Sequence, residues 1–257
     1  VRLLIKLGGT LLDDDASRLR LARELAASNR GQGVQMVVVH GGGKQMTRFL
    51  AERGVESKFV GGLRVTTPQV IDAVLKVFAG SVNHQLVAAL VAAGAQPVGL
   101  TGIDSLLTEA EQWSEELGAV GKPVQVHAEL LDLLTSNGYL PVVACVAGDR
   151  AGRIYNVNAD QMAAACAAGF RADRLLFLTD VDGVMDASKQ ILPVLTLAQS
   201  QRLIDSGVAT GGMQAKLEAV QRALDGGVGD VIIAPGAQPG IIARLIDREP
   251  LGTRIIT

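Results

Sequence analysis

Leu3-Leu4-Ile5-Lys6-Leu7-Gly8-Gly9 and Met36-Val37-Val38-Val39-His40-Gly41-Gly42-Gly43 each run an apolar strand straight into a glycine cluster that opens a helix. Glycine lets the backbone turn sharply and approach a ligand closely. The helix that follows aims unpaired N–H groups and a positive dipole end at whatever anion sits there. Two such cradles so close together, with Lys6 beside the first, point to phosphoryl transfer.

Outward from these loops, runs rich in Val, Ile and Leu at 2–7, 34–39, 97–101, 140–146, 174–179 and 230–234 alternate with helical patterns. Those patterns fall at 15–30, 44–53, 68–93, 128–137, 160–168, 197–206, 213–226 and 239–247. Continuous apolar strands between helices predict a largely parallel sheet covered on both faces, an α/β/α sandwich. Two polar, turn-rich regions, 55–66 and 104–127, interrupt the alternation. Lys58 to Thr66 and Lys122-Pro123-Val124-Gln125-Val126 read as short hairpin strands, expected to form a lid over a substrate. The helix starting at Thr67-Pro68 carries apolar residues from Val70 to Val91 at helical spacing and serves the core or a subunit contact. A boundary is placed near Gly169, where a fresh strand and helix series begins.

The composition narrows the function. With 257 residues, 24 Lys+Arg against 26 Asp+Glu, the chain has no broad basic field for nucleic acid or an anionic membrane. Cys145 and Cys166 sit in apolar stretches without metal or redox spacing, so buried thiols and a reducing cytoplasm are expected. The most apolar segment, around Leu86 to Ala95, is shorter than a membrane span. Gly43-Lys44 is followed by Gln45, and Val38 stands where a Walker A motif needs glycine, so a P-loop is rejected. No complete dinucleotide fingerprint and no Gly-x-Ser-x-Gly elbow occur. His40, His84 and His127 show no metal or nucleophile-base spacing.

What remains is a set of charges in unusual places. Lys6, inside an apolar strand, is costly to bury without a charge partner. Gly211-Gly212 precedes the helix holding Lys216, a lysine near a positive dipole end that is misplaced unless an anion joins it. Its bland reading is a solvated surface lysine. Asp160 either caps the helix that follows it or stands as the single carboxylate between the two lysines. Asp180 and Asp182 lie just past a strand's carboxyl end, where open α/β sheets bind ligands, and compete with a plain tight turn.

In chain order Lys6-Leu7-Gly8-Gly9, His40-Gly41-Gly42-Gly43, Gly62-Leu63-Arg64-Val65-Thr66, Asn156-Val157-Asn158-Ala159-Asp160 and Gly211-Gly212-Met213 with Lys216 resemble the acetylglutamate kinases of the amino acid kinase family. The resemblance runs from end to end, and the second pair of segments, around Arg64 and Asn156, is the more specific. Lys44 and the stretch 234–240 depart from the usual pattern. The resemblance implies an eight-stranded, mainly parallel sheet, an N-terminal lobe (1–169) for the acyl amino acid and a C-terminal lobe (170–257) for ATP. It implies phosphorylation of the side-chain carboxylate of N-acetyl-L-glutamate, with Mg²⁺ carried on the ATP phosphates. Lys6 and Lys216 would bind the transferring phosphoryl group, Asp160 would organise them, and amides around Gly8, Gly9 and Gly42 would complete the cradle. Arg64 and Asn156 would grip the amino acid, with Gly42 and Gly43 opposite. Asp180, Val181, Asp182, Gly183, Val184 and Met185, together with Val208, Ala209 and Thr210, match nucleotide-binding segments. Alternatives are a kinase for carrier-bound aminoadipate, which the Asn156 segment argues against, and a non-catalytic sensor. Because Val1-Arg2-Leu3 enters the first strand at once, a homodimer that arginine does not inhibit is expected.

Overall fold

The structure, a computed structural model, describes residues 1–31 and 33–257. Its centre is an eight-stranded sheet built on β1 (Arg2–Leu7). On one side β1 pairs with β2 (Gln35–His40), then β8 (Leu140–Ala144), then β5 (Pro97–Thr101). On the other it pairs with β11 (Arg174–Thr179), then β13 (Asp230–Pro235), β14 (Thr253–Ile256) and β12 (Val194–Thr196). Every pairing is parallel except β13 with β14. Consecutive residues of β11 and β13 are all buried, so both faces are covered, as continuous apolar runs require. The sheet is unbroken across β1 and β11, where the lobes named above would join.

The helices follow the sequence pattern closely. α1 (Asp15–Asn29) is capped by the Asp14 carboxylate and packs against α4 (Asn83–Ala92) and α9 (Ile241–Ile246). α5 (Glu129–Ser136) and α6 (Ala159–Gly169) lie along β2 and its neighbours, with α8 (Gly211–Asp225) beside α6. α7 (Leu197–Asp205) starts with a complete capping box, Thr196 and Gln199.

One helix has a structure that the sequence did not announce. α3 (Pro68–Val74), capped by Thr67, runs into a π-helical stretch, Leu75–Val82, and continues as α4. The Asn83 N–H reaches back to the Phe78 carbonyl, five residues earlier, where an α-helix would have used four. The whole rod, Pro68–Ala92, is long and apolar enough to cross a membrane, longer than the Leu86 to Ala95 stretch suggested. Val70, Val74, Val77, Phe78, Val82, Leu86 and Leu90 are buried in the core, against the sheet and the neighbouring helices.

Three sequence expectations need correction. The 104–127 region is no lid: β6 (Thr108–Gln112) and β7 (Val120–Val126) close a small barrel with β9 (Val146–Gly148) and β10 (Ile154–Val157). The run 140–146 is two strands, because the chain leaves the sheet at Cys145 to enter that barrel. β12 and β14 complete the sheet, although no strand was expected at either segment. By contrast β3 (Phe59–Val60) and β4 (Leu63–Arg64) do form a hairpin, and its residues border the site described next.

Candidate active site

Three charges meet at the carboxyl end of the central strands. Lys6 is the next-to-last residue of β1, Asp160 lies in the first turn of α6, and Lys216 in the second turn of α8. Nζ of Lys6 is 2.8 Å from Oδ1 of Asp160, and Nζ of Lys216 is 2.8 Å from Oδ2. All three are buried. The Lys216 ammonium donates a hydrogen bond to Oδ2, and the Lys6 ammonium forms an ion pair with Oδ1, so each carboxylate oxygen faces one lysine. Lys216 also sits over the Phe177 ring, 5.1 Å from its centre.

The helix cap that competed for Asp160 is made by its neighbour. The Asn158 side chain accepts from the N–H groups of Asp160 and Gln161, so the Asp160 carboxylate is left to the lysines. Burial alone would push that carboxyl up; the charges of Lys6 and Lys216 more than offset it and hold it at about 2. Burial lowers the Lys216 ammonium; Asp160 pulls it back, and Lys6 pushes it down again. Two cations on one anion leave a buried surplus of positive charge, which an arriving anion would neutralise.

A pH experiment follows from this geometry. With a folded value of about 2 against 3.8 unperturbed, the Asp160 carboxylate contributes stability that is fully present above pH 3.8 and lost as pH falls through 2. In urea unfolding across that range, Asp160→Asn is expected to remove this slope. At neutral pH it should cost about 3 kcal/mol or more, the scale for orphaning buried charges, against about 1 kcal/mol for a lost cap. A loss near the smaller figure with an unchanged acid slope would show that the ion pairs hold no stability.

The two glycine loops touch. A Cβ on Gly9 would stand 3.2 Å from the Gly43 amide nitrogen and 3.7 Å from that of Gly42, so a larger residue there would intrude on these amides. The N–H groups of Gly9, Gly42 and Gly43 donate to no other group among the described residues. Unpaired amides beside surplus positive charge form an anion cradle. A cavity of about 630 Å³ opens here, lined by Lys6, Gly8, Gly9, Gly43, Arg64 and Asp180 among others.

A second cavity, of about 180 Å³, shares Gly43, Phe59 and Arg64 with the first and continues to Gly42, Phe78 and Asn156. Arg64 on β4 is buried, with its guanidinium held by the Gly43 carbonyl at 3.2 Å, Thr47 Oγ1 at 2.9 Å and the Ser57 hydroxyl. It has no carboxylate within ion-pair distance among the described residues, and burial lowers its pKa. Such a guanidinium is poised for a carboxylate. Asn156 on β10 donates to Thr66 Oγ1 at 3.0 Å.

The expected nucleotide segments lie at the same end of the sheet but are not all drawn into these cavities. Of the first segment, only Asp180 lines the Lys6 cavity. Val181 is packed against the core and Asp182 and Gly183 continue the turn; Val184 N–H bonds Thr253 Oγ1 at 2.8 Å, and Met185 bridges to Ile191. Val208 and Ala209 lead to Thr210, which starts α8 without a side-chain cap. Sequence reasoning missed Thr47, Phe59 and Phe78 in the cavity walls, and missed His40, which is buried behind the glycine turn. Their signals were spatial: nothing in the local pattern ties Phe78 to Gly42.

A model of the amino acid kinase family matches residues 1–235. An acetylglutamate kinase of Solibacter usitatus (strain Ellin6076) is 65% identical over 257 residues, covering 100% of both chains. One from Bartonella tribocorum is 39% identical over 99% of this chain and 89% of its own length. Among solved structures, the N-acetylglutamate synthase of Neisseria gonorrhoeae, complexed with coenzyme A and N-acetyl-glutamate, superposes on 100% of this chain with a TM-score of 0.88 at 24% identity. This chain spans 59% of that one, and at such identity the likeness speaks for the fold.

Proposed function

The chain belongs to the amino acid kinase family, and from that premise we infer that it transfers the γ-phosphoryl group of ATP to the side-chain carboxylate of N-acetyl-L-glutamate. The products are ADP and N-acetyl-L-glutamyl 5-phosphate, a step of arginine biosynthesis. The observation that carries the chemistry is the Lys6–Asp160–Lys216 cluster, with its surplus charge where two glycine loops meet.

The attacking group is already a carboxylate at neutral pH, so no general base has to remove a proton. The residues fit that economy. His40 is buried and neutral, and the Cys145 thiol is pushed up by burial. What the chain must do is bring two anions into line and neutralise the charge that develops between them. Lys6 and Lys216 would bind the phosphoryl oxygens while Asp160 holds both ammonium groups in place. The amides of Gly9 and Gly42 would complete the cradle; the Gly8 N–H, expected beside them, is instead given to the Leu178 carbonyl at 2.8 Å. Arg64 and Asn156 would take the α-carboxylate and amide end of the acyl amino acid, with Gly42 and Gly43 opposite. Residues Asp180 to Met185 and Val208 to Thr210 would border the nucleotide.

Mg²⁺ would arrive on the ATP phosphates and spread their charge; the hard oxygen donors lining the Lys6 cavity that fit it belong to Thr10, Thr179 and Asp180. In this reading residues 1–169 hold the acyl amino acid and 170–257 hold ATP, and the enzyme works in the cytoplasm. A homodimer is part of the same reading, joined through the helix around Pro68–Ala92, whose outer surface carries the exposed Val91 and lies beside the sheet's edge strand β5. Sedimentation at the mass of one subunit would refute that assembly.

A coupled ADP-release assay across N-acetylglutamate, glutamate, aspartate, N-acetylaminoadipate and carbamate tests the substrate. N-acetylglutamate is expected to give the highest kcat/KM. Preference for free glutamate would remove the acyl-amide contact of Asn156 from the assignment, and no turnover with any of the five would refute phosphotransfer.

A further inference from the structure

Behind the glycine turn lies a closed chain of buried hydrogen bonds that the phosphoryl-binding groups do not include. His40 is fully buried. Its Nδ1 is 2.8 Å from the Gly41 carbonyl, and its Nε2 is 3.0 Å from Nδ2 of Asn83. The same Asn83 nitrogen is 2.9 Å from the Val142 carbonyl, which only accepts. That contact fixes which end of the carboxamide faces the ring, because the amide oxygen in its place would oppose another oxygen. The Asn83 nitrogen carries two hydrogens, so it gives one to Val142 and one to His40. Nε2 of His40 is therefore the accepting nitrogen, and the ring proton resides on Nδ1, which donates to Gly41. Burial keeps this ring neutral, lowering its pKa to about 4 against the opposing pull of the Gly41 bond.

The consequence lies one peptide further on. The Gly41–Gly42 peptide is trans, since no cis peptide occurs among the described residues, and across a trans peptide the C=O and the next N–H point in opposite directions. A Gly41 carbonyl drawn inward to His40 therefore turns the Gly42 N–H outward, and Gly42 lines the substrate cavity with its amide unpaired among the described residues. The preceding peptide is pinned in the same way, by the Cys145 thiol donating to the His40 carbonyl at 2.9 Å. Were the ring proton on Nε2 instead, Nδ1 would repel the Gly41 oxygen, and the peptide would gain by flipping its N–H away from the cavity.

We propose that His40, locked by Asn83 in the Nδ1–H tautomer, is a positioning residue that holds the Gly42 amide toward the reacting groups. The proposal rests on the phosphotransfer reading above, since it assigns that amide to the transferring phosphoryl and its acceptor. The residue touches neither; it acts through the Gly41–Gly42 peptide. Asn83 reaches it because the π-helical stretch ends there, with Phe78 and Asn83 both turned toward the glycine turn.

Two measurements test it. In ¹⁵N-histidine NMR of the intact wild-type chain, His40 is expected to be protonated at Nδ1 and bare at Nε2 at neutral pH; a proton on Nε2 would overturn the proposal. Two substitutions then separate positioning from packing. His40→Asn keeps an N–H donor near the Nδ1 position, whereas His40→Leu fills the space without one. His40→Leu is expected to lower kcat about 10-fold or more with KM for ATP little changed, and His40→Asn to recover most of that loss. Equal losses in both folded variants would refute a positioning role. Should His40→Leu fail to fold, the tautomer and the His40→Asn kinetics decide. A failure of the reaction itself would show in the substrate panel on the unaltered chain, so the two failures are distinct.

Discussion

Lys216→Ala is expected to turn over N-acetylglutamate roughly 100-fold or more slowly than the wild type, the scale on which a preorganised charge-stabilising donor is missed. Lys6→Ala should show the same order of loss. The reason lies in the sharing of one carboxylate. Each ammonium is half-compensated by Asp160 before substrate binds, so each has charge to spare when negative charge develops between donor and acceptor. Removing one lysine leaves Asp160 neutralised by the other and abolishes the surplus. The defect should therefore fall on kcat, measured at saturating ATP and N-acetylglutamate. A variant with intact kcat and only a raised KM for ATP would show that the lysines serve ground-state binding alone.

Arg64→Lys carries the second large effect, and it should be selective. The guanidinium is buried, has no carboxylate partner among the described residues, and is held in one orientation by Gly43, Thr47 and Ser57. Lysine keeps the charge but loses the planar two-point contact and those supports. Losing charged hydrogen bonds to a desolvated carboxylate costs about 1.5–3 kcal/mol, or roughly 10- to 150-fold in KM for N-acetylglutamate. KM for ATP should move far less. Equal shifts in both constants would point to a disturbed hairpin at 59–64 in place of a lost recognition contact.

Lys6 and Lys216 stood out in the sequence for a physical reason, whereas Arg64 was singled out by resemblance alone. A lysine in a buried strand and a lysine at a helix start are both costly, and cost marks function when glycine loops adjoin. The central strands were equally plain, because parallel strands covered on both faces are continuous apolar runs. β12 is three residues long at the sheet's edge and β14 four, too short to stand out, and the barrel strands are polar on one side. The cap that the sequence left open for Asp160 is made by Asn158, two residues earlier. His40 and Asn83 meet across 43 positions of sequence, and no local pattern records such a contact.

The π-helical stretch Leu75–Val82 also bears on how this chain tolerates insertions and deletions. Each α-helical residue advances the rod by about 100°, so residues five apart lie roughly 140° from one another. Phe78 and Asn83 share a side only because the wider winding absorbs the difference. Such a stretch stores surplus length in the helix without breaking it. Deleting one residue within it, Ala79 for instance, would let the winding tighten to four-residue bonding and keep Leu86 and Leu90 close to their core-facing phase. A deletion in the α-helical turns on either side has no such relief and would turn everything beyond it by about 100°. The rod can therefore give up a residue between Leu75 and Val82 at far less cost than in the turns that flank it.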